Sequence, residues 1–166
     1  MLEILTAILS ILTICHFGYS AITLAALLFT WSLIALAILD CKYFILPNFI
    51  TLPMIGLGLL LNTQSIFTSP LNALLGALVG FFFLWSIYGV YKFITDKEGM
   101  GYGDFKLLAM LGAWLGFHAI PQIILISSAS GAVVGLSLIY FKRHSLSQPI
   151  PFGPFLALSG WLYLVM

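Results

Sequence analysis

Seven apolar stretches separated by short polar breaks make up almost all of this sequence, and that pattern limits the fold more than any single motif does. They run roughly over 2–17, 20–39, 48–61, 71–94, 104–118, 121–141 and 152–166. A helix needs about 20 residues to cross about 30 Å of hydrocarbon. A chain of 166 residues therefore has room for at most seven or eight crossings joined by short loops. Hydrophobic residues make up 62% of the chain and charged residues 7%, where soluble domains run near ~45–50% and ~25%. A water-soluble fold of this size cannot hide so much apolar surface, and the same figures exclude disorder. Six Lys and Arg and a net charge of +1 exclude nucleic acid as a partner. The expected fold is an all-α polytopic membrane protein of about seven transmembrane or partial helices, with residues 1–166 forming a single membrane-embedded domain in the lipid bilayer.

Pro or Gly marks most of the breaks, as helix ends require. Two stretches, 48–61 with Pro53 inside it and 104–118, are short for a full crossing, so tilted or partial spans are expected there. The first stretch carries Glu3 and no Lys or Arg ahead of its apolar run, which argues for a retained first helix over a cleaved signal. Cys15 and Cys41 lie far apart, with no His or Cys at metal-ligand spacing, so neither a zinc site nor a disulfide scaffold is expected.

The cations set an orientation. Lys42 lies in the second break, Lys92, Lys97 and Lys106 at or beside the fourth, and Lys142 and Arg143 in the sixth, while the odd-numbered breaks contain no Lys or Arg. Seven crossings put all six on one side, which the positive-inside rule assigns to the cytoplasm. Small residues recur four apart at Gly76 and Gly80, Gly112 and Gly116, and Gly131 and Gly135. In lipid such spacing lets helix backbones approach closely; packing within one chain is the simple reading and self-association the other.

The five acids divide unequally. Glu3 complements the first helix dipole, and Asp96 and Glu98 sit in a polar break. Asp40 closes one apolar run and Asp104 opens another, both at the predicted cytoplasmic edge. A carboxylate there must face the bundle interior or a water-filled cavity. Two acids at matched depth in one small bundle can approach each other, and close carboxylates share a proton. One then takes a proton from water while the other protonates the leaving group, which is what peptide hydrolysis by an aspartic dyad requires, without a metal. Gly99, Gly101 and Gly103 alternate just before Asp104; such a segment can adopt positive φ and lets backbone pass close to a substrate strand. On its own a GxGD pattern also fits a flexible loop with Asp104 as N-cap.

These residues resemble the type IV prepilin peptidases, the GxGD-type intramembrane aspartyl proteases. The matching elements are Asp40 followed by Pro47; the run Lys97-Glu98-Gly99-Met100-Gly101-Tyr102-Gly103-Asp104-Phe105-Lys106-Leu107; Leu111 to Gly116; and Ile150-Pro151-Phe152-Gly153-Pro154-Phe155-Leu156-Ala157. The resemblance implies that Asp40 and Asp104 are the catalytic aspartates. It also implies that the substrates are prepilin and type II secretion pseudopilin precursors, cleaved at the cytoplasmic face of the bacterial inner membrane. Proteolysis of this kind needs no cofactor. Many relatives also methylate the new N-terminus with S-adenosylmethionine, but no glycine-rich nucleotide site is readable here. Bacterial members usually carry a cytoplasmic domain with paired CxxC motifs, which this sequence lacks; a naturally minimal member and the catalytic part of a longer one both fit.

Around the aspartates, Gly101, Gly103, Lys106, Pro47, Pro151, Phe152 and Gly153 are candidates for supporting or substrate-binding roles. Lys106 either acts on an aspartate or substrate carbonyl, or snorkels to the interface. Pro151 to Pro154 form either an extended edge beside the dyad or a proline-started helix. His16 and His118 read as interfacial, and Lys142-Arg143-His144 as a topology anchor. The contrasting function class is a small transporter or proton carrier with Asp40 and Asp104 as relay groups. A relay needs polar groups near the midplane, where only Asn72, Gln122, Ser127, Ser128 and Ser130 are available, and hydrogen bonding between helices accounts for those.

Overall fold

The computed structural model describes residues 2–96, 101–140 and 151–166, and these form seven α-helices and no strand. In chain order they are α1 (Leu2–Phe17), α2 (Ala21–Tyr43), α3 (Asn48–Asn62), α4 (Pro70–Thr95), α5 (Tyr102–Leu115), α6 (Ala119–Tyr140) and α7 (Gly153–Val165). Two boundaries beside the aspartates depart from the apolar pattern. The second helix does not stop at Asp40 but continues one turn to Tyr43, where Phe44 takes the left-handed conformation (φ 54°) and its N–H closes onto the Asp40 carbonyl at 2.9 Å. A charged residue ends an apolar run but not a helix; the left-handed residue ends the helix. The fifth helix starts two residues before Asp104, because extended Gly101 (φ −74°, ψ 141°) is its N-cap.

Helix α5 is the centre of the bundle. Phe105 and every residue from Leu107 to Leu115 are buried, with α3, α4, α6 and α7 packed around it. Helix α2 lies against α7, and α1 lies mainly against α2. Helices α2 and α4 and residues Ala119–Leu138 of α6 are long and apolar enough to cross a membrane. Their outer surfaces remain apolar, with Leu24, Phe93 and Leu125 among the exposed side chains. Water would penalise that surface; hydrocarbon does not. The protein is an all-α polytopic membrane protein.

Among the described glycines, those that pack directly on the backbone of another helix lie between α4 and α5. A Cβ on Gly112 would strike the Gly76 carbonyl, and one on Gly80 would meet Leu108 O at 2.6 Å. The first two glycine pairs thus pack within one chain. Gly131 has only ordinary contact with Phe155, at 3.6 Å. Ser127 and Ser130 bond to carbonyls of their own helix, Ile124 O and Ile126 O, rather than to another helix as the sequence suggested.

The connections alternate between two ends. Phe17 meets Phe67, Gly116 lies against Thr68, and Phe117 N donates to Asn72 O, which gathers the first, third and fifth breaks at one end. Asp40 meets Gly153, Leu46 lies against Gly103, and Tyr88 pairs with Tyr102, which gathers the second, fourth and sixth at the other. Lys42, Lys92 and Lys106 belong to this second end, as the charge pattern requires; Lys97 and Lys142-Arg143-His144 lie outside the described residues.

Candidate active site

Asp40 reaches the site from the last turn of α2 and Asp104 from the first turn of α5. Both are buried, at 6% and 7% exposure, and both line one cavity of about 190 Å³. Its other walls include Phe44, Leu46, Gly101, Gly103 and Lys106. Two acids from distant parts of the sequence therefore share one small, partly apolar space at the end of the bundle that carries the cations.

Each carboxyl is held differently. Gly153 N–H, at the start of α7, donates to Asp40 Oδ2 at 2.9 Å. A Cβ on Gly153 would lie 2.6 Å from that same oxygen, so only glycine allows this approach. Asp104 is not the N-cap; it lies three residues into α5, and among the described residues no hydrogen bond reaches its carboxyl.

Gly103 serves close packing, but against the protein itself: an added Cβ would meet Leu46 Cβ at 2.7 Å. Neither Gly101 nor Gly103 has positive φ, since among the described glycines only Gly18 and Gly116 do. Gly99, with Lys97, Glu98 and Met100, lies outside the described residues. Pro47 is the extended N-cap of α3 (φ −70°, ψ 136°) and positions Leu46 and Asn48 on either side of it. Of the two forms open for Pro151 to Pro154, the structure has the proline-started helix, with Phe152 as N-cap and Pro154 in the first turn of α7.

Lys106 makes no ion pair with either aspartate; its Nζ donates to Asn48 Oδ1 at 2.7 Å. Asn48 carried no signal in the sequence beyond following Pro47. A second cluster also went unnoticed there. Tyr88 Oη lies 3.2 Å from Tyr102 Oη, Lys92 Nζ donates to Tyr88 Oη at 3.3 Å, and both tyrosine rings pack on Phe105. The spacing of Tyr88 and Lys92, one helical turn apart, was the available hint. This cluster ties the end of α4 to the segment that carries Asp104.

The sequence profile of the type IV leader peptidase family matches residues 27–136, a region that contains both aspartates. The chain belongs to the type IV leader peptidase family. Similar relatives are the prepilin leader peptidase/N-methyltransferases of Aeromonas hydrophila, at 49% identity, Stutzerimonas stutzeri, at 46%, and Pseudomonas aeruginosa, at 45%. Each alignment covers 165 residues, 99% of this chain and 57% of the relative. The chain thus spans little more than half the length of these leader peptidases. No solved structure matches it. The profile match ends before Gly153, the donor to Asp40, whereas the alignments to the relatives cover nearly the whole chain.

Proposed function

We propose that this chain is a membrane aspartic endopeptidase that removes the leader peptides of type IV prepilins and type II secretion pseudopilins. The observation that carries this reading is the placement of Asp40 and Asp104, both buried, in one cavity at the cation-bearing end of the bundle. Their burial keeps competing water few and strengthens every charge interaction in the site. A water activated between two such carboxyls attacks a peptide carbonyl, and the pair moves the protons in both directions without a covalent intermediate. The residues act as one membrane-embedded catalytic unit, its site opening on the cytoplasmic face of the bacterial inner membrane, where the cations of the positive-inside rule lie.

Methyl transfer is not assigned to these residues. S-adenosylmethionine needs several polar partners for its adenosine and its charged amino-acid tail. The three larger cavities are lined by apolar side chains, with Thr30, Cys41, Lys42, Ser128 and the Trp161 indole as their few polar groups. Among the described residues, these cavities do not supply the polar partners that cofactor needs.

The test is cleavage of a prepilin precursor in lipid by the parent chain and by Asp40→Asn and Asp104→Asn. Both variants are expected to lose cleavage, with falls of about 10⁴-fold or more, as when one member of a catalytic unit is removed. Full activity in either variant overturns the assignment. Acid-dependent proton flux without proteolysis would instead support the carrier.

A further inference from the structure

We propose that the two aspartates have fixed and different roles. Asp40 is the carboxylate that takes the proton from the attacking water, and Asp104 is the carboxyl that protonates the scissile carbonyl oxygen. This rests on the dyad reading above and adds the division of labour within it.

The asymmetry lies in what each carboxyl touches. Asp40 Oδ2 accepts the Gly153 N–H at 2.9 Å, and an N–H donor favours the charged form of a carboxylate. That N–H also opens the 13-residue α7, whose positive dipole end faces the same oxygen. Asp104 lies in the first turn of α5 and feels that helix's dipole too, but the direct bond is missing. Asp104 is 7% exposed, and its carboxyl accepts no hydrogen bond among the described residues. A buried acid without a donor is far cheaper to hold neutral than charged.

Nothing else described reverses this balance. Lys106, the cation that lines the cavity, is engaged by Asn48 Oδ1 at 2.7 Å. Lys42 and Cys41 line a separate apolar groove between α1, α2 and α7. The Tyr102 hydroxyl is turned to Tyr88.

The protons then balance over one turnover. Water oxygen bonds to the scissile carbon as Asp40 removes a water proton and Asp104 gives its own to the carbonyl oxygen, leaving a neutral gem-diol. Asp40 next protonates the amide nitrogen while Asp104 takes a proton from a gem-diol hydroxyl, and the C–N bond breaks. A carboxylic acid and an amine leave, with Asp40 again ionised and Asp104 again protonated.

The experiment is infrared spectroscopy of the full chain in lipid, with carboxyl-labelled aspartate in an Asp96→Asn background, so that only Asp40 and Asp104 carry label. At pH 7 the parent is expected to show a protonated-carboxyl band that persists in Asp40→Asn and disappears in Asp104→Asn. The opposite pattern, loss in both variants, retention in both, or no band in the parent overturns the assignment. Precursor cleavage is measured on the same parent preparation. A parent that shows the expected bands but cleaves nothing defeats the dyad reading, whereas a cleaving parent with another band pattern defeats only the division of roles.

Discussion

Gly153 N–H donates to Asp40 Oδ2 at 2.9 Å across 113 residues of sequence. This single bond fixes the start of the last helix to the end of the second and holds one of the two aspartates at the edge of the cavity. The contact is so close that it leaves no room for a Cβ on residue 153.

Replacement of Gly153 by Ala therefore acts on Asp40 directly. The new Cβ would lie 2.6 Å from Oδ2 and 3.0 Å from Cγ, so the carboxylate must turn away. Misplacement of a reacting group by about 1 Å can cost ~10²-fold, and kcat is expected to fall by about that factor while KM changes little. The measurement is a kcat and KM pair on a precursor peptide, with a melting curve to show that the helix still docks. A fall confined to KM, or to the melting temperature, would contradict it.

The sequence announced Gly153 only as part of a familiar run, without its partner, and that division holds for the molecule generally. Helix number and position were legible because apolar runs in lipid must be helical and their ends need Pro, Gly or polar residues. Asp40 and Asp104 were legible because an acid at a membrane edge demands an explanation. Their environments were not. Which backbone N–H faces Asp40, which amide holds Lys106, and whether Gly103 meets a substrate or Leu46 depend on packing between α2, α3, α5 and α7, which periodicity along one strand of sequence does not encode. The extension of α2 through Asp40 was missed for a related reason, since its end is set by the backbone of Phe44 and not by polarity.

The contact between α4 and α5 offers a stability test away from the chemistry. Gly112→Ala would put a Cβ against the Gly76 carbonyl, backbone against backbone, where no side chain can yield. Overpacking of this kind costs about 3 kcal/mol, which for a chain of this size lowers the melting temperature by roughly 6–12 °C. Thermal unfolding in lipid checks it. Gly131→Ala, which would have only ordinary contact with Phe155, is expected to melt close to the parent.

Asn62 is fully buried at the opposite end of the bundle. Its amide donates to Ala113 O and Trp114 O at 2.9 and 3.0 Å, and its oxygen accepts from Phe67 N and Thr68 N at 2.9 and 3.1 Å. One side chain thus satisfies the last carbonyls of α5 and the loop before α4. Asn62→Leu leaves these groups without it, and at ~1–3 kcal/mol for each buried group left unpaired the loss is expected to reach about 4 kcal/mol. A large drop in melting temperature, with turnover preserved well below it, is the expected result. Unchanged stability would mean that other groups can take over these four bonds.

The bond from Lys106 Nζ to Asn48 Oδ1, at 2.7 Å, gives the last prediction. Lys106 lines the cavity beside the aspartates, yet its ammonium is directed to an amide at the start of α3. If Asn48 acts by holding this cation over the bound peptide, the two residues are one unit in substrate binding. Lys106→Met is then expected to raise KM more than it lowers kcat, and Asn48→Ala to do the same to a smaller extent. Combined, the two should be no worse than Lys106→Met alone, a coupling of about 1 kcal/mol between neighbours. Effects that simply multiply would show that Asn48 acts through α3 packing instead, and a loss confined to kcat would move Lys106 from substrate binding to the proton-transfer step.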